Sequence, residues 1–445
     1  MEITSFKEII SATTNSTKKI KCIWWVNIGV DEVWKNNTQN LLPQLTNIKN
    51  KSVVNRTELI SLLLADSQDI VILREPIPKE ISNHYKLLGF KMPEILLVSS
   101  HDEDPDLTVS DLILENSLIL NSIRQLTLQY EVLLIPYAVT CKEEEIARLT
   151  GCKLIGATAN LTAWVNSKVN ARLIAKEINA NYTEGYICEN IIQVKEAIFK
   201  LTRANCNNRI VVKDAYGASG KGLFIIESQS ALDYFLAMLD RKSNENKKIE
   251  VIVEKWYEKY LDINYQVFIG DDGTITYLSP KIQLMNNSIY IGSEYPIENM
   301  LDDKQKLLYE ETAHKIGKYL YKKGYRGLAS IDSIIASDGT IYPIIEINGR
   351  FSLSTYISFV PVKLGLDNYY RTKYFNVDKD ITLSSLMEEL IEKELIYLKE
   401  KGEGVIVYSF CEGKQSGSGR VFIMMVAKCR EQLSYIQNMV DNIFD

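Results

Sequence analysis

From the N-terminus to about Thr150, short apolar runs alternate with longer stretches in which apolar and polar positions mix. KCIWWVNIG, QDIVILREP, EILLVSS and VLLIPY are the runs; NRTELISLLLAD and TVSDLILENSLILNSIRQLTLQYE lie between them. Short apolar runs bounded by polar residues read as buried strands, and mixed stretches at helical spacing as the helices that cover them. The alternation predicts parallel βαβ units. Loops near Asn27, Trp34 and Asp102 to Asp106 are placed to touch a substrate, although exposed loop residues often carry no such duty. A linker of small residues, GATANLTAW, then leads into NSKVNARLIAKE, where Ser167 to Lys176 has helical spacing and Asn166 reads as the N-cap. Lys168 falls in the first turn, where a cation opposes the helix dipole unless an anion sits beside it. It reads equally as a solvated helix lysine.

Beyond residue 209 the pattern changes to strands joined by tight turns. RIVVKDAYGASGKGLFIIE carries two β-rich runs around a loop with glycines at Gly217, Gly220 and Gly222, Ser219 and Lys221 between them, and Lys213 at its base. Glycines there let backbone N–H groups turn toward an anion, and the lysines add positive charge, so the hairpin is a candidate phosphate cradle. The same glycines also suit a plain surface turn. Lys221 is followed by Gly222 and a β-type run, not by Ser or Thr and a helix, which excludes a Walker A loop. A helix, SALDYFLAMLDRKS, and a long strand region, IEVIVEKWYEKYLDINYQVFIG, come next.

A second hairpin follows in SIDSIIASDGTIYPIIEINGRFS, with a D-G turn between Ser337 and Thr340. Glu346 and Asn348 share a parity on an extended chain, Arg350 continues it, and hairpin pairing returns Asp332 beside them. Two carboxylates and an amide oxygen form a hard, all-oxygen set suited to Mg²⁺ near phosphates. The alternative, solvated acids at strand ends, fits poorly for Glu346 inside IIEIN.

Composition narrows the class. A chain of 445 residues with 46% apolar residues fills two or three cores. A net charge of −6 and an isoelectric point near 5.5 argue against nucleic acid as an obligatory partner. No apolar run approaches the ~20 residues of a membrane span, and the first residues lack a signal peptide's apolar core, so a cytoplasmic protein without membrane partners is expected. Seven cysteines without a C-x-x-C pair fit reduced thiols, and His84, His101 and His314 lack the spacing of a zinc helix.

Together, KDAYGASGKG, the later EKW and the E-x-N-x-R strand resemble the ATP-grasp family of carboxylate-amine ligases, which contains D-alanine ligase and biotin carboxylase. The resemblance spans about Leu161 to Leu364. LLIPYAVTCKEEEIARLTG and NSKVNARLIAKE are further similar to the branch typified by the pheganomycin peptide ligase and the butirosin carrier-protein glutamyl ligase.

The resemblance implies an α/β (α+β ATP-grasp) architecture: a Rossmann-like pre-ATP-grasp domain over 1–160 and a two-lobed ATP-grasp domain over 161–364. The small lobe is expected at about 168–255 and the large lobe at about 256–364. A small α+β lid or substrate domain is expected over 365–445. That tail opens with an irregular Tyr-rich stretch, followed by a helix, SLMEELIEKELIYLKEKG, and by a hairpin of GVIVYSF and RVFIMMVAK. Gln415 to Gly419 reads as a loop over the site or as a plain hairpin turn.

By the same resemblance Lys168 reaches the nucleotide phosphates, and Glu254, Lys255 and Tyr257 bind adenine. The family's ribose-binding acid falls near Asn264, so either Asp262 replaces it or that contact is weaker. Lys281 lies where several members keep a lysine facing the γ-phosphate, though it also reads as a solvated strand lysine. The implied cofactors are ATP and one or two Mg²⁺ ions, with catalysis by Lys213, Lys281 and Arg350, the last orienting a small-molecule carboxylate. Like charges ~4 Å apart at an effective dielectric near 20 repel by ~4 kcal/mol, so an acid meets a γ-phosphate only where cations neutralise both. The expected product of the first step is an acyl phosphate with ADP, and an amine acceptor then yields an amide or peptide bond. Transfer to a carrier-protein phosphopantetheine thiol, a non-catalytic nucleotide-binding protein and a homodimer remain open.

Overall fold

A computed structural model describes residues 5–14, 16–30, 33–34, 41–42, 56–98, 107–204, 209–217, 222–242, 248–286, 288–296, 300–365, 369–412 and 418–444. Ser219, Gly220 and Lys221, the Asp102 to Asp106 loop and most of the Gln415 to Gly419 loop lie outside them.

The N-terminal apolar runs form a parallel sheet of β1 (Ile20–Trp25), β2 (Ile70–Leu73), β3 (Glu94–Leu97), β4 (Glu131–Pro136) and β5 (Lys153–Leu154), in the order β3-β2-β1-β4-β5. β2 is buried at every position, as a strand covered by helices on both faces must be. Thr140 and Glu143 form a capping box at the start of helix Cys141–Thr150, and Gly151 ends it in the left-handed region.

Several local expectations are corrected. The small-residue stretch GATANLTAW is not a linker, because Thr158 caps a short helix, Ala159–Val165, within it. Asn166 closes that helix, and Ser167 caps the next, Lys168–Glu177, by accepting from the Asn170 backbone. Asn27 and Trp34 are buried rather than exposed on substrate loops.

The small antiparallel sheet holds β6 (Gly185–Cys188), β7 (Ile210–Asp214), β8 (Leu223–Ile226) and β9 (Val251–Lys255), in the order β6-β9-β7-β8. Its core includes Phe235, Leu239 and Val253, and Leu41 and Leu42 from the N-terminal segment pack into it.

The third sheet has eight antiparallel strands: β10 (Lys259–Ile269), β11 (Ile275–Asn286), β12 (Ile289–Tyr295), β13 (Gly327–Ala336), β14 (Ile341–Asn348), β15 (Tyr369–Asp378), β16 (Gly404–Cys411) and β17 (Ser418–Ala427). Their order is β14-β13-β10-β11-β12-β15-β17-β16. The Tyr-rich stretch after Gly365, expected to be irregular, is β15, and its pairing with β12 joins the C-terminal hairpin to the same sheet. The helix expected over SLMEELIEKELIYLKEKG ends early, at Glu392. Helix Asp303–Lys322 covers one face through Tyr309, Ala313, Ile316 and Leu320, against Ile263, Tyr265 and Val267. Strand parity therefore turns the even-numbered residues of β10 to the opposite face. Among the described residues no helix is long and apolar enough to cross a membrane.

Candidate active site

Strand register sets a transverse row on that opposite face. Lys281 of β11 lies opposite Asn264 of β10, Asn264 opposite Asp332 of β13, and Asp332 opposite Glu346 of β14. Cross-strand partners point to the same side of a sheet, so residues separated in sequence become neighbours. Asp262 and Ile334 pair in the row on one side; Gln266, Ser330 and Asn348 pair in the row on the other.

Asp332 is held by neutral donors. Asn264 Nδ2 and Gln283 Nε2 donate to its Oδ1 at 2.8 and 3.0 Å, and Asn348 Nδ2 donates to its Oδ2 at 3.2 Å. Burial, and then the Glu346 carboxylate, push its carboxyl up to about 6, while Asn264 and Arg350 oppose the rise. Asp332, held by amides, lies beside Glu346, which pairs with Lys168; a divalent cation would relieve the remaining negative charge, and the oxygen donors of Asp332, Glu346 and Asn348 fit a hard ion. No group of three or more His, Cys, Asp or Glu able to hold a metal occurs among the described residues, so any metal there draws on these three and on its substrate.

A cleft of about 980 Å³, its open mouth included, lies between the small sheet and this face. Lys168, Lys213, Gly217, Glu254, Lys255, Tyr257, Asp262, Asp332 and Glu346 all line it. The glycine hairpin and the acidic hairpin thus meet, and Lys168 joins them: its Nζ donates to the Gly217 carbonyl at 2.7 Å and to Glu346 Oε1 at 2.9 Å. Gly222 takes a φ of +78°, and its carbonyl accepts from the Asp214 backbone, which closes the hairpin base.

Lys213 is ion-paired with Glu254, which also accepts from Thr183 and from Arg172 at 3.1 Å. Burial works against the Glu254 charge, but Lys213, the Thr183 hydroxyl and Arg172 outweigh it and hold the carboxyl below its ordinary range. Glu254 is therefore a buried, paired charge at the cleft wall. Tyr257 packs on Tyr342 with ring centroids 4.7 Å apart, and Lys255 lies 5.4 Å from the Tyr257 ring. Asp262 faces the cleft beside Lys259 at 2.7 Å, whereas Asn264 is buried beneath Asp332 and does not line it.

Lys281 and Arg350 are not among the residues that line the cleft. Lys281 is 4% exposed, has no hydrogen bond or ion pair among the described residues, and burial brings its ammonium down to about 8. β14 ends at Asn348, and the Arg350 Nη1 donates to the Tyr137 hydroxyl at 2.7 Å. Tyr137, Gln283, Thr183 and Arg172 were missed in the sequence. Gln283 shares a parity with Lys281 and was findable; the others reach the site from remote elements and carry no local signal.

The ATP-binding domain of the carbamoyl-phosphate synthase L chain matches residues 167–360. The [butirosin acyl-carrier protein]–L-glutamate ligase of Niallia circulans is 24% identical over 430 residues, 95% of this chain and 94% of the relative. Among solved structures, an ADP complex of N5-carboxyaminoimidazole ribonucleotide synthetase superposes with a TM-score of 0.57 at 13% identity, over 95% of this chain and 96% of the other. Biotin carboxylase from Campylobacter jejuni gives 0.55 at 14% identity, over 93% and 89%. Residues 167–360 thus carry an ATP-binding domain of this type, in a chain similar to ATP-dependent ligases and with a fold shared with ATP-grasp enzymes.

Proposed function

We propose that the protein activates a small amino-acid-like carboxylate as an acyl phosphate, with ATP converted to ADP, and passes the acyl group to an amine with release of phosphate. The observation that carries this reading is the Lys168 bridge, which holds the phosphate-type hairpin and the Asp332/Glu346 pair in one cleft. Lys168 and Lys213 neutralise charge on the phosphates, and the hairpin's backbone N–H groups cover the terminal phosphoryl group. Lys255 and Tyr257 flank adenine, with Glu254 fixing the wall behind it, and Asp262 takes the ribose hydroxyls because Asn264 is buried and bonded to Asp332. Asp332, Glu346 and Asn348 would hold Mg²⁺, which supplies charge neutralisation and alignment of the phosphate oxygens. Arg350 and Lys281 receive the acid's carboxylate.

The chemistry balances. A carboxylate oxygen forms a bond to the terminal phosphorus as the bond to ADP breaks; the amine nitrogen then bonds to the acyl carbon, phosphate leaves and the nitrogen loses a proton. The 24% identical relative, aligned over nearly the whole chain, is named for ligating glutamate to a carrier protein. That supports a second reading in which the acceptor is a phosphopantetheine thiol and the product a thioester.

Incubation with ATP, Mg²⁺ and each of the proteinogenic amino acids, with and without an amine or a carrier protein, tests both. ADP and phosphate are expected. AMP and pyrophosphate would refute the scheme, and nucleotide binding without turnover would leave a binding protein. Glu346→Ala is expected to lower kcat at least 100-fold with the melting temperature preserved; an unchanged kcat removes Glu346 from the site.

A further inference from the structure

We propose that Tyr137, from the N-terminal sheet, is a positioning residue that holds Arg350 over the acid site; this rests on the reading that Arg350 receives the acid's carboxylate. The N-terminal sheet runs β3-β2-β1-β4-β5, so its strand order reverses between β1 and β4. In open parallel sheets the crevice at the carboxyl ends of such a pair is where ligands bind. Tyr137 is the first residue after β4 and Asn27 lies two residues beyond β1, so both stand at that crevice.

Asn27 fastens the β4 loop from both sides. Its Oδ1 accepts from Ala138 N at 3.0 Å and its Nδ2 donates to Ala138 O at 2.9 Å, with Glu143 Oε1 at 2.7 Å securing the amide. That fixes the main chain next to Tyr137, whose carbonyl accepts from Phe351 N at 2.9 Å while its hydroxyl accepts from Arg350 Nη1 at 2.7 Å. The guanidinium carbon lies 5.2 Å from the Tyr137 ring centroid. Main chain and side chain of one buried tyrosine thus grip two successive residues that leave β14 just past Glu346 and Asn348. A bare arginine has several rotatable bonds; one held by a hydroxyl and seated by a ring keeps a single orientation of its planar fork. The contact spans the join between the parallel sheet and the eight-stranded sheet, so the N-terminal domain becomes part of the acid site without touching nucleotide.

Tyr137→Phe removes the hydroxyl and keeps the ring. Its kinetics are compared with wild type using the amino acid that releases most ADP in the wild-type enzyme. The KM for that acid is expected to rise about tenfold or more, as befits loss of a hydrogen bond to a charged group. The KM for ATP should stay within about twofold and the melting temperature should be preserved. In an Arg350→Lys background the same change should add little, because coupled residues do not act additively. An unchanged KM for the acid while Arg350→Lys is impaired overturns the role of Tyr137 alone. If the KM values for acid and ATP rise together with a fall in melting temperature, Tyr137 is structural and the inference fails. If Arg350→Lys matches wild type, the reading of Arg350 falls and this inference with it, as both do if no acid gives ADP.

Discussion

Lys281 shows how burial makes a single charged side chain costly to the fold. A free lysine titrates near 10.5, and burial lowers this one to about 8, so the folded chain binds that proton less tightly than the unfolded chain. The resulting destabilisation is full below about pH 8, shrinks as pH rises toward the free value and is gone above it; its size is roughly 3 kcal/mol. Lys281→Met is therefore expected to raise the midpoint of chemical denaturation at pH 7, by an amount that falls as the pH is raised to 10, while abolishing ligase turnover. Equal stabilities at pH 7 would mean that the ammonium is hydrated in the native state. Asn264 is a contrasting case. Its Oδ1 accepts from Gln266 and Ser354 at 3.0 and 2.7 Å while its Nδ2 donates to Ser330 and Asp332, so its orientation is settled on both sides. The resemblance puts it near the family's ribose-binding acid; it is buried and bonded to Asp332, while Asp262 lines the cleft.

Two connections between elements decide how the small sheet sits. At the hairpin, Gly222 has a positive φ, and an added Cβ would lie 3.4 Å from both the Asp214 Cβ and the Tyr216 carbonyl. Gly222→Ala is expected to cost about 1–2 kcal/mol through backbone strain and to raise the KM for ATP, read by thermal melting and steady-state kinetics. At the same hairpin base, Asp214 accepts from Leu41 N at 3.0 Å and Leu42 N at 3.4 Å, and Lys242 Nζ donates to Leu41 O at 2.8 Å. Leu41 is buried among Phe235, Leu239 and Val251. Leu41→Ala should destabilise that sheet by about 2–5 kcal/mol, seen as faster hydrogen exchange in β7 and β9 with β1 and β4 unaffected. Uniform acceleration across all three sheets would show that they unfold as one unit. Nothing in the sequence pairs Leu41 with this core, because the contact joins residues some 170 positions apart, through a Leu41 backbone N–H of the kind any residue but proline carries and the Asp214 carboxylate.

Across the molecule, the strand and helix periods in the chain already specified the parallel N-terminal sheet, the glycine-tipped hairpin and the acidic hairpin, since each depends on spacing over a few residues. The parities of Glu346 and Asn348, and the return of Asp332 beside them, follow from the same local rule and are present in the register of β13 and β14. What local spacing lacks is the order of strands in a sheet. The union of the C-terminal hairpin with the eight-stranded sheet through β15, the row that brings Lys281 to Asn264, Asp332 and Glu346, and the grip of Tyr137 on Arg350 all arise from pairings between distant segments. Those pairings are selected by which faces bury together, a free energy summed over the whole core, and no short window of residues contains it. Periodicity thus sufficed for the parts and for the chemistry each can carry, while long-range burial chose which charges face one another.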